Sequence, residues 1–237
     1  MPVEELQVGE EPEKDEPQVE EQISSDLRYE LSKQLCYDGE GQLSSTVVRE
    51  YDDRGYVIKE TVTLIDAEGS ESSYWYEEVC DDKGNLVEDK YMTEEGLVQY
   101  WTYTYDDHNN EIECITYDSD GNIMCTQTCI YDYDSEGRKV QETIIQVQEG
   151  LDTDMEYTYN YTYDEDGKLM TSVDGFGGEK VYEYDENDFL IKVTNIVAGN
   201  EMVTKYTNDE HGKAIKDEYY DSTGVLSNYN DNEYIGF

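Results

Sequence analysis

The sequence predicts an all-β fold, an antiparallel meander of about fourteen short strands curled into an open or closed barrel-like shell. Three observations lead there. A signature of Tyr, Asp, two polar residues and Gly, as in Tyr51–Asp52–Asp53–Arg54–Gly55, recurs along the chain, mostly with 12 to 16 residues between successive glycine positions. Short runs that alternate aromatic or apolar with polar residues, such as Trp101–Thr102–Tyr103–Thr104, fill the intervals, and a period of two belongs to a strand with one covered face. The prolines, Pro2, Pro12 and Pro17, all stand outside the repeats, as expected where interior residues must donate to a ladder.

In chain order, residues 1–24 are Glu-rich, carry every proline and show no apolar period, so they read as a disordered acidic tail or tether. Ile23, Leu27 and Leu31 recur every four residues, which makes a capping helix over 20–34 a competing reading of the junction. The β-sheet domain spans 25–237. Its turn signatures start at Tyr37, Tyr51, Ile65, Cys80 and, in a worn copy, Met92; then at Tyr105, Tyr117 and Tyr133. Those at Tyr163, Tyr184, Asn208 and Tyr220 complete the series. Degenerate turns at Glu149–Gly150–Leu151–Asp152, Asp174–Gly175–Phe176–Gly177–Gly178 and Ala198–Gly199–Asn200 fill the wider gaps. A turn plus about eight strand residues takes about twelve, so each signature serves one strand and successive strands pair antiparallel.

The turn has a physical logic. Asp accepts from the backbone two residues on, two polar residues take helical angles, and Gly or Asn supplies the positive φ of a type I turn with a G1 bulge. His108 and His211 sit third in such turns and read as solvated side chains. The geometry sets Tyr51 opposite Val57, Cys80 opposite Leu86, Tyr117 opposite Ile123, Tyr163 opposite Leu169 and Asn208 opposite Ala214. It also predicts Tyr105, Tyr117 and Tyr163 on one aromatic face, continued by Tyr103 and Trp101 and by Tyr161, Tyr159 and Tyr157, with Thr102, Thr104, Thr158 and Thr162 on the other. About fourteen strands spaced about 4.8 Å apart would make a flat sheet more than about 60 Å wide with a wet aromatic face. Wrapping the sheet around its own Tyr layer removes that exposure. A flat ribbon is the runner-up, and irregular grouping of the copies disfavours a propeller.

Composition narrows the function classes. The hydrophobic share is 36%, yet 24 tyrosines bring the aromatic share to 12%, which separates the repeats from a disordered polymer. Lys+Arg 16 against Asp+Glu 59 gives a formal charge of −43, which repels nucleic acid and anionic membrane surfaces. A basic or cation-rich partner is the functional reading of that charge; a very soluble surface is the plain one. Cys36, Cys80, Cys114, Cys125 and Cys129 have neither zinc spacing nor scaffold density. Ile115 is expected to face Cys125 with Cys114 on the other face, so these thiols read as small apolar filler. No run reaches the length of a membrane-spanning helix, and the residues ahead of the repeats are not expected to act as a signal peptide.

The copies at Tyr51–Gly55, Tyr117–Ile123, Tyr163–Leu169 and Tyr220–Leu226 resemble the YD-repeat (Rhs-type) family, over roughly residues 36–230. The resemblance implies a secreted or surface-exposed bacterial protein. Large members enclose a toxin domain in a β-shell, and related repeats on animal cells serve adhesion. This short array is expected to carry no cargo or toxin domain, and to be similar to short secreted or lipid-anchored relatives. Its acidic leader would then be the tether, which needs a lipidated cysteine upstream of Met1.

The function expected is a non-enzymatic binding or structural module, extracellular or in a bacterial envelope, with a cell-surface glycan or protein as partner. It would be a monomer or an edge-paired dimer. Trp75 with Tyr74 and Tyr76, and Trp101 with Tyr100, are the candidate ligand-binding rings. The alternative is a secreted glycan-active hydrolase using paired carboxylates, which needs an acid whose pKa burial has raised. No cofactor is expected beyond weakly bound calcium. Asp118 and Asp120, and Asp132 and Asp134, resemble the start of calcium loops, without the terminal Glu of the EF-hand.

Overall fold

The computed structural model describes residues 29–151 and 154–236, and these form sixteen strands. They are β1 (Tyr29–Asp38), β2 (Leu43–Tyr51), β3 (Val57–Ile65), β4 (Glu71–Cys80), β5 (Leu86–Thr93), β6 (Gly96–Tyr105), β7 (Glu111–Asp118) and β8 (Ile123–Tyr133). There follow β9 (Lys139–Gln148), β10 (Met155–Tyr163), β11 (Leu169–Asp174), β12 (Glu179–Tyr184), β13 (Leu190–Val197), β14 (Asn200–Asn208), β15 (Ala214–Tyr220) and β16 (Leu226–Gly236). The strands run in sequence order around a closed antiparallel barrel, and β16 returns to pair with β1. The expected count of about fourteen was too low, because the twelve signatures and three degenerate turns make fifteen connections, which join sixteen strands. Residues 29–34, which the competing reading gave to the end of a capping helix, are strand, as the β-sheet domain from residue 25 implies. The acidic tail lies outside the described residues. Since β1 is bonded to β16, no described strand keeps a free edge, and an edge-paired dimer has no edge to use.

The turns obey the predicted chemistry. Asp52 N–H donates to Tyr56 O at 2.9 Å and Gly55 N–H to Asp52 O at 2.9 Å. Asp52 Oδ1 accepts from the N–H of Arg54 at 2.9 Å and of Tyr56 at 3.0 Å. The same pattern recurs at the other Asp turns, from Asp38 to Asp221. Asn109 (φ 62°) and Asp188 (φ 69°) take the glycine position in their turns. Some glycines meet a second demand: a Cβ on Gly84 would lie 2.6 Å from the Tyr56 ring, and one on Gly212 2.5 Å from the Phe189 ring. Gly69 has open space there. Gly69→Ala should therefore cost about 1–2 kcal/mol for its φ alone. Gly84→Ala and Gly212→Ala should cost about 2–4 kcal/mol each. Urea melts of the three variants check the order; equal losses would remove the packing argument.

The expected facing pairs are all present, from Tyr51 with Val57 to Asn208 with Ala214. One expectation fails. After most turns the register slips by one residue, as between Glu50 and Tyr51 or Thr104 and Tyr105, leaving Ile58 and Ile112 as extra residues in β3 and β7. A bulge of this kind reverses the face of everything beyond it. Tyr105 and Tyr163 therefore share one face, while Tyr117 points to the other and stacks on Tyr100 at 4.6 Å. The same slip sets Thr116, not Ile115, opposite Cys125, so Cys114, Cys125 and Cys129 share a face. All five cysteines are free thiols, and burial pushes Cys114 up to about 12.

The face bearing Trp101, Tyr103, Tyr105 and Tyr159 to Tyr163 is the inner one. Val62, Cys129, Ser172, Asp217 and Asn230, all buried, lie on it. Val62 and Cys129 are the buried apolar residues among those described, so the interior is a Tyr-lined, polar lumen instead of an oily core. Where the even-numbered strands end, inward side chains clasp a neighbouring strand's backbone. Tyr51 OH donates to Leu31 O at 2.5 Å, Tyr105 OH to Leu86 O at 2.8 Å and Tyr163 OH to Lys139 O at 2.7 Å. Tyr131, Tyr184, Asn208 and Tyr234 likewise donate to carbonyls of the strands that precede theirs, at Glu111, Leu169, Leu190 and Ala214. On β4 the equivalent residue is Cys80, too short to reach.

The outer face carries rows of charge across neighbouring strands. Lys59 faces Glu77, which faces Lys90; further round, Glu183 faces Lys192, which faces Lys205, which faces Glu218. Thr143, Thr158, Thr162 and Thr171 lie on the same outer face between these two groups. No described helix is long and apolar enough to cross a membrane, a statement that does not bear on strands.

Candidate functional site

The five candidate rings divide between the faces. Trp75 points outward, where its Nε1 donates to Glu77 Oε1 at 3.1 Å and Lys59 Nζ lies 5.4 Å from its ring centre. Tyr100 also points outward, against Tyr117. Tyr74, Tyr76 and Trp101 point into the lumen and gather with Tyr91, a ring that the sequence reasoning missed because it precedes the worn Met92 turn. Tyr76 lies 5.5 Å from Tyr91, 5.9 Å from Tyr74 and 6.4 Å from Trp101. Alternation from Asp89 through Tyr91 was the signal that could have found it.

Carboxylates line the same lane. Glu78 stands directly opposite Asp89, which stands opposite Trp101, and Glu60 stands opposite both Arg49 and Tyr76. Arg49 Nε donates to Glu60 Oε2 at 2.6 Å. Asp89 Oδ1 is buried without a hydrogen-bond partner. Burial, with the nearby charge of Glu60, pushes the Asp89 carboxyl up to about 6. Burial, then Asp89 and Glu60, also raises Glu78. Beside this lane, where Cys80 leaves the ring of clasps open, a hollow of about 210 Å³ is lined by Tyr51, Tyr56, Glu78, Cys80 and Leu86. Glu78 thus borders both the lane and the hollow.

The suggested calcium residues are not gathered. Asp118 and Asp134 belong to turns at opposite ends of the barrel, after β7 and β8. Asp118 Oδ1 accepts from the N–H of Asp120 and Asn122, and its Oδ2 accepts from Asn122 Nδ2 at 2.9 Å. Asp134 accepts from the N–H of Glu136 and Arg138 and from Arg138 Nε. Asp132 projects outward opposite Gln141. Among the described residues no three His, Cys, Asp or Glu are grouped to hold a metal ion.

Comparison with known proteins adds a fold and no family. No family model matches the chain, and no curated protein matches it. A porin-like protein from Bacteroides uniformis matches at a TM-score of 0.56 and 14% identity, covering 86% of this chain and 98% of that one. A porin-like protein from Bacteroides vulgatus matches at 0.40, with 13% identity over 86% and 98% of the two chains. The TcdB2-TccC3-TEV structure matches at 0.31, with 15% identity over 81% of this chain and 12% of that one. The first of these matches establishes a shared barrel architecture.

Proposed function

We propose that this protein is a non-enzymatic carbohydrate-binding barrel that works in water, in the envelope or exterior of a bacterium. The observation that carries the reading is the lumen lane of Tyr74, Tyr76, Tyr91 and Trp101 beside Glu60, Glu78, Asp89 and Arg49. Aromatic faces stack on the apolar faces of sugar rings, and carboxylates with a guanidinium hold hydroxyl groups. The likeness of the repeats to the YD family supports the bacterial exterior, with the acidic leader as a tether.

A membrane-spanning role fits the outer face poorly. Such barrels present an apolar band about 25 Å tall, and a Lys or Arg at mid-bilayer costs about 2–4 kcal/mol. Here Lys59, Lys90, Lys192 and Lys205 occupy outward positions within their strands, Lys90 and Lys205 near the middle. Affinity electrophoresis through gels cast with soluble polysaccharides tests the binding. At least one glycan should retard the parent protein, and Trp101→Ala should lose most of that retardation while Trp75→Ala keeps it. Retardation by none, or equal loss in both variants, would remove the lumen lane as the binding surface.

One observation favours a second reading, hydrolysis. Glu78 and Asp89 form a directly facing pair of carboxyls, both raised first by burial, and a raised acid is one of the two groups that general acid–base work requires. Turnover of chromogenic glycosides by the parent and none by Asp89→Asn would establish it.

A further inference from the structure

We propose that a second lumen site, on the wall formed by β9 to β13, binds a single neutral pyranose ring. It rests on the carbohydrate reading above, but uses none of the residues of the Trp101 lane. A cavity of about 340 Å³ opens there, lined by Tyr159, Tyr161 and Tyr182 with Ser172, Lys180 and Asn195. That volume is at the small end of ligand pockets, of about 300–1,000 Å³, and suits one ring more than a chain.

The lining supplies what a polyol needs. Three phenol rings and Ile144 offer apolar faces, while hydroxyl, amide, carboxylate and ammonium groups converge between them. The polar groups are already held in place: Tyr161 OH donates to Glu142 Oε2 at 2.6 Å, and Ser172 Oγ lies 3.4 Å from Tyr182 OH. Burial raises the Tyr161 phenol, so it keeps the proton it gives to Glu142, and its oxygen is left to accept from a sugar hydroxyl. Fixed donors spare a ligand the cost of ordering them.

Charge selects the class. On a chain of formal charge −43, this wall is locally balanced. Lys139 Nζ lies 3.3 Å from Glu142 Oε2, and the lining adds Lys180 to Asp174. A balanced pocket favours neither an anion nor a cation, in contrast to the Trp101 lane with three carboxylates and one arginine. Gly178, also in the lining, leaves room for the Asp174 carboxylate, since a Cβ there would lie 2.4 Å from Asp174 Oδ2.

Saturation-transfer NMR and calorimetry on the full chain decide the matter. The probes are the methyl glycosides of glucose, galactose, mannose and N-acetylglucosamine, with inorganic phosphate and spermidine as charged comparisons. At least one methyl glycoside should bind. Asn195→Ala and Tyr182→Ala should each weaken it about tenfold or more, Trp101→Ala should weaken it less than about twofold, and the charged probes should not compete. Asn195→Ala, the smaller change, keeps the test valid if Tyr182→Ala unfolds. Absence of methyl glycoside binding by the parent, competition by phosphate or spermidine, or loss in Trp101→Ala alone would overturn the site. Polysaccharide retardation that survives while methyl glycosides fail would overturn this site and leave the Trp101 lane standing. The opposite pattern would leave this site standing without the lane.

Discussion

Replacing Asn230 with proline is expected to turn the barrel into an aggregating chain without a cooperative melt. β16 is the seam: Asn230 faces Cys36 on β1 and Asp217 on β15. Proline there removes a ladder donor and strains both neighbours, at about 3 kcal/mol or more before any knock-on loss. The Asn230 amide, which donates to Tyr219 OH at 3.2 Å, goes as well. Once β16 detaches, β1 and β15 become long unprotected edges, which pair with other chains. Asn230→Ala should lose only about 1 kcal/mol, for one hydrogen bond, and elute like the parent. Size-exclusion chromatography with thermal melts distinguishes them. A proline variant that melts cooperatively within a few degrees of the parent would mean that the ring is not sealed in solution.

Asp89→Asn is expected to stabilise the protein at neutral pH. The Asp89 carboxyl is pushed up to about 6 from 3.8, first by burial and then by Glu60, and one of its oxygens is buried without a partner. A raised acid binds its proton more tightly in the folded state. Its penalty is therefore full above about pH 6 and fades as the pH falls toward 3.8. The neutral amide should add on the order of 1–2 kcal/mol at pH 7, after allowance for solvent screening of a half-buried group, and nothing near pH 4. The turn aspartates act in the opposite sense. Backbone bonds to Tyr56 and Ser70 hold Asp52 and Asp66 low, and the Asn110 and Asn122 side chains do the same for Asp106 and Asp118. What they contribute is present above the ordinary Asp range and is lost as the pH falls through their depressed values. The parent should therefore be most stable in mild acid. Melting curves from pH 4 to pH 8 for parent and variant should converge at the acid end; parallel curves would show that Asp89 is not the strained group.

Much of this architecture is legible in the chain. Turn chemistry is local, so Asp52 through Gly55 specifies its own hairpin whatever lies around it, and its copies specify theirs. Pairings next to each turn follow from the same few atoms, which is why Tyr51 with Val57 and Tyr163 with Leu169 come out as expected. The face of Tyr117 does not, because the extra residue Ile112 lies one step beyond the turn and no side-chain pattern marks it. The candidate site suffers from that slip as well. Trp75 and Trp101 look equivalent as sequence, and only their neighbours in the fold, Glu77 two residues along the same strand and Asp89 across from Trp101, tell outside from inside.

By itself the sequence determined the strand-and-turn alphabet, the antiparallel order and the acidic, tyrosine-rich character, because each depends on contacts within about a dozen residues. Closure, the inner and outer faces and the meeting of Glu78, Asp89 and Trp101 were decided by tertiary structure alone. Those features depend on accumulated bulges and on β1 meeting β16 across nearly the whole chain, and no local run of residues encodes a sum.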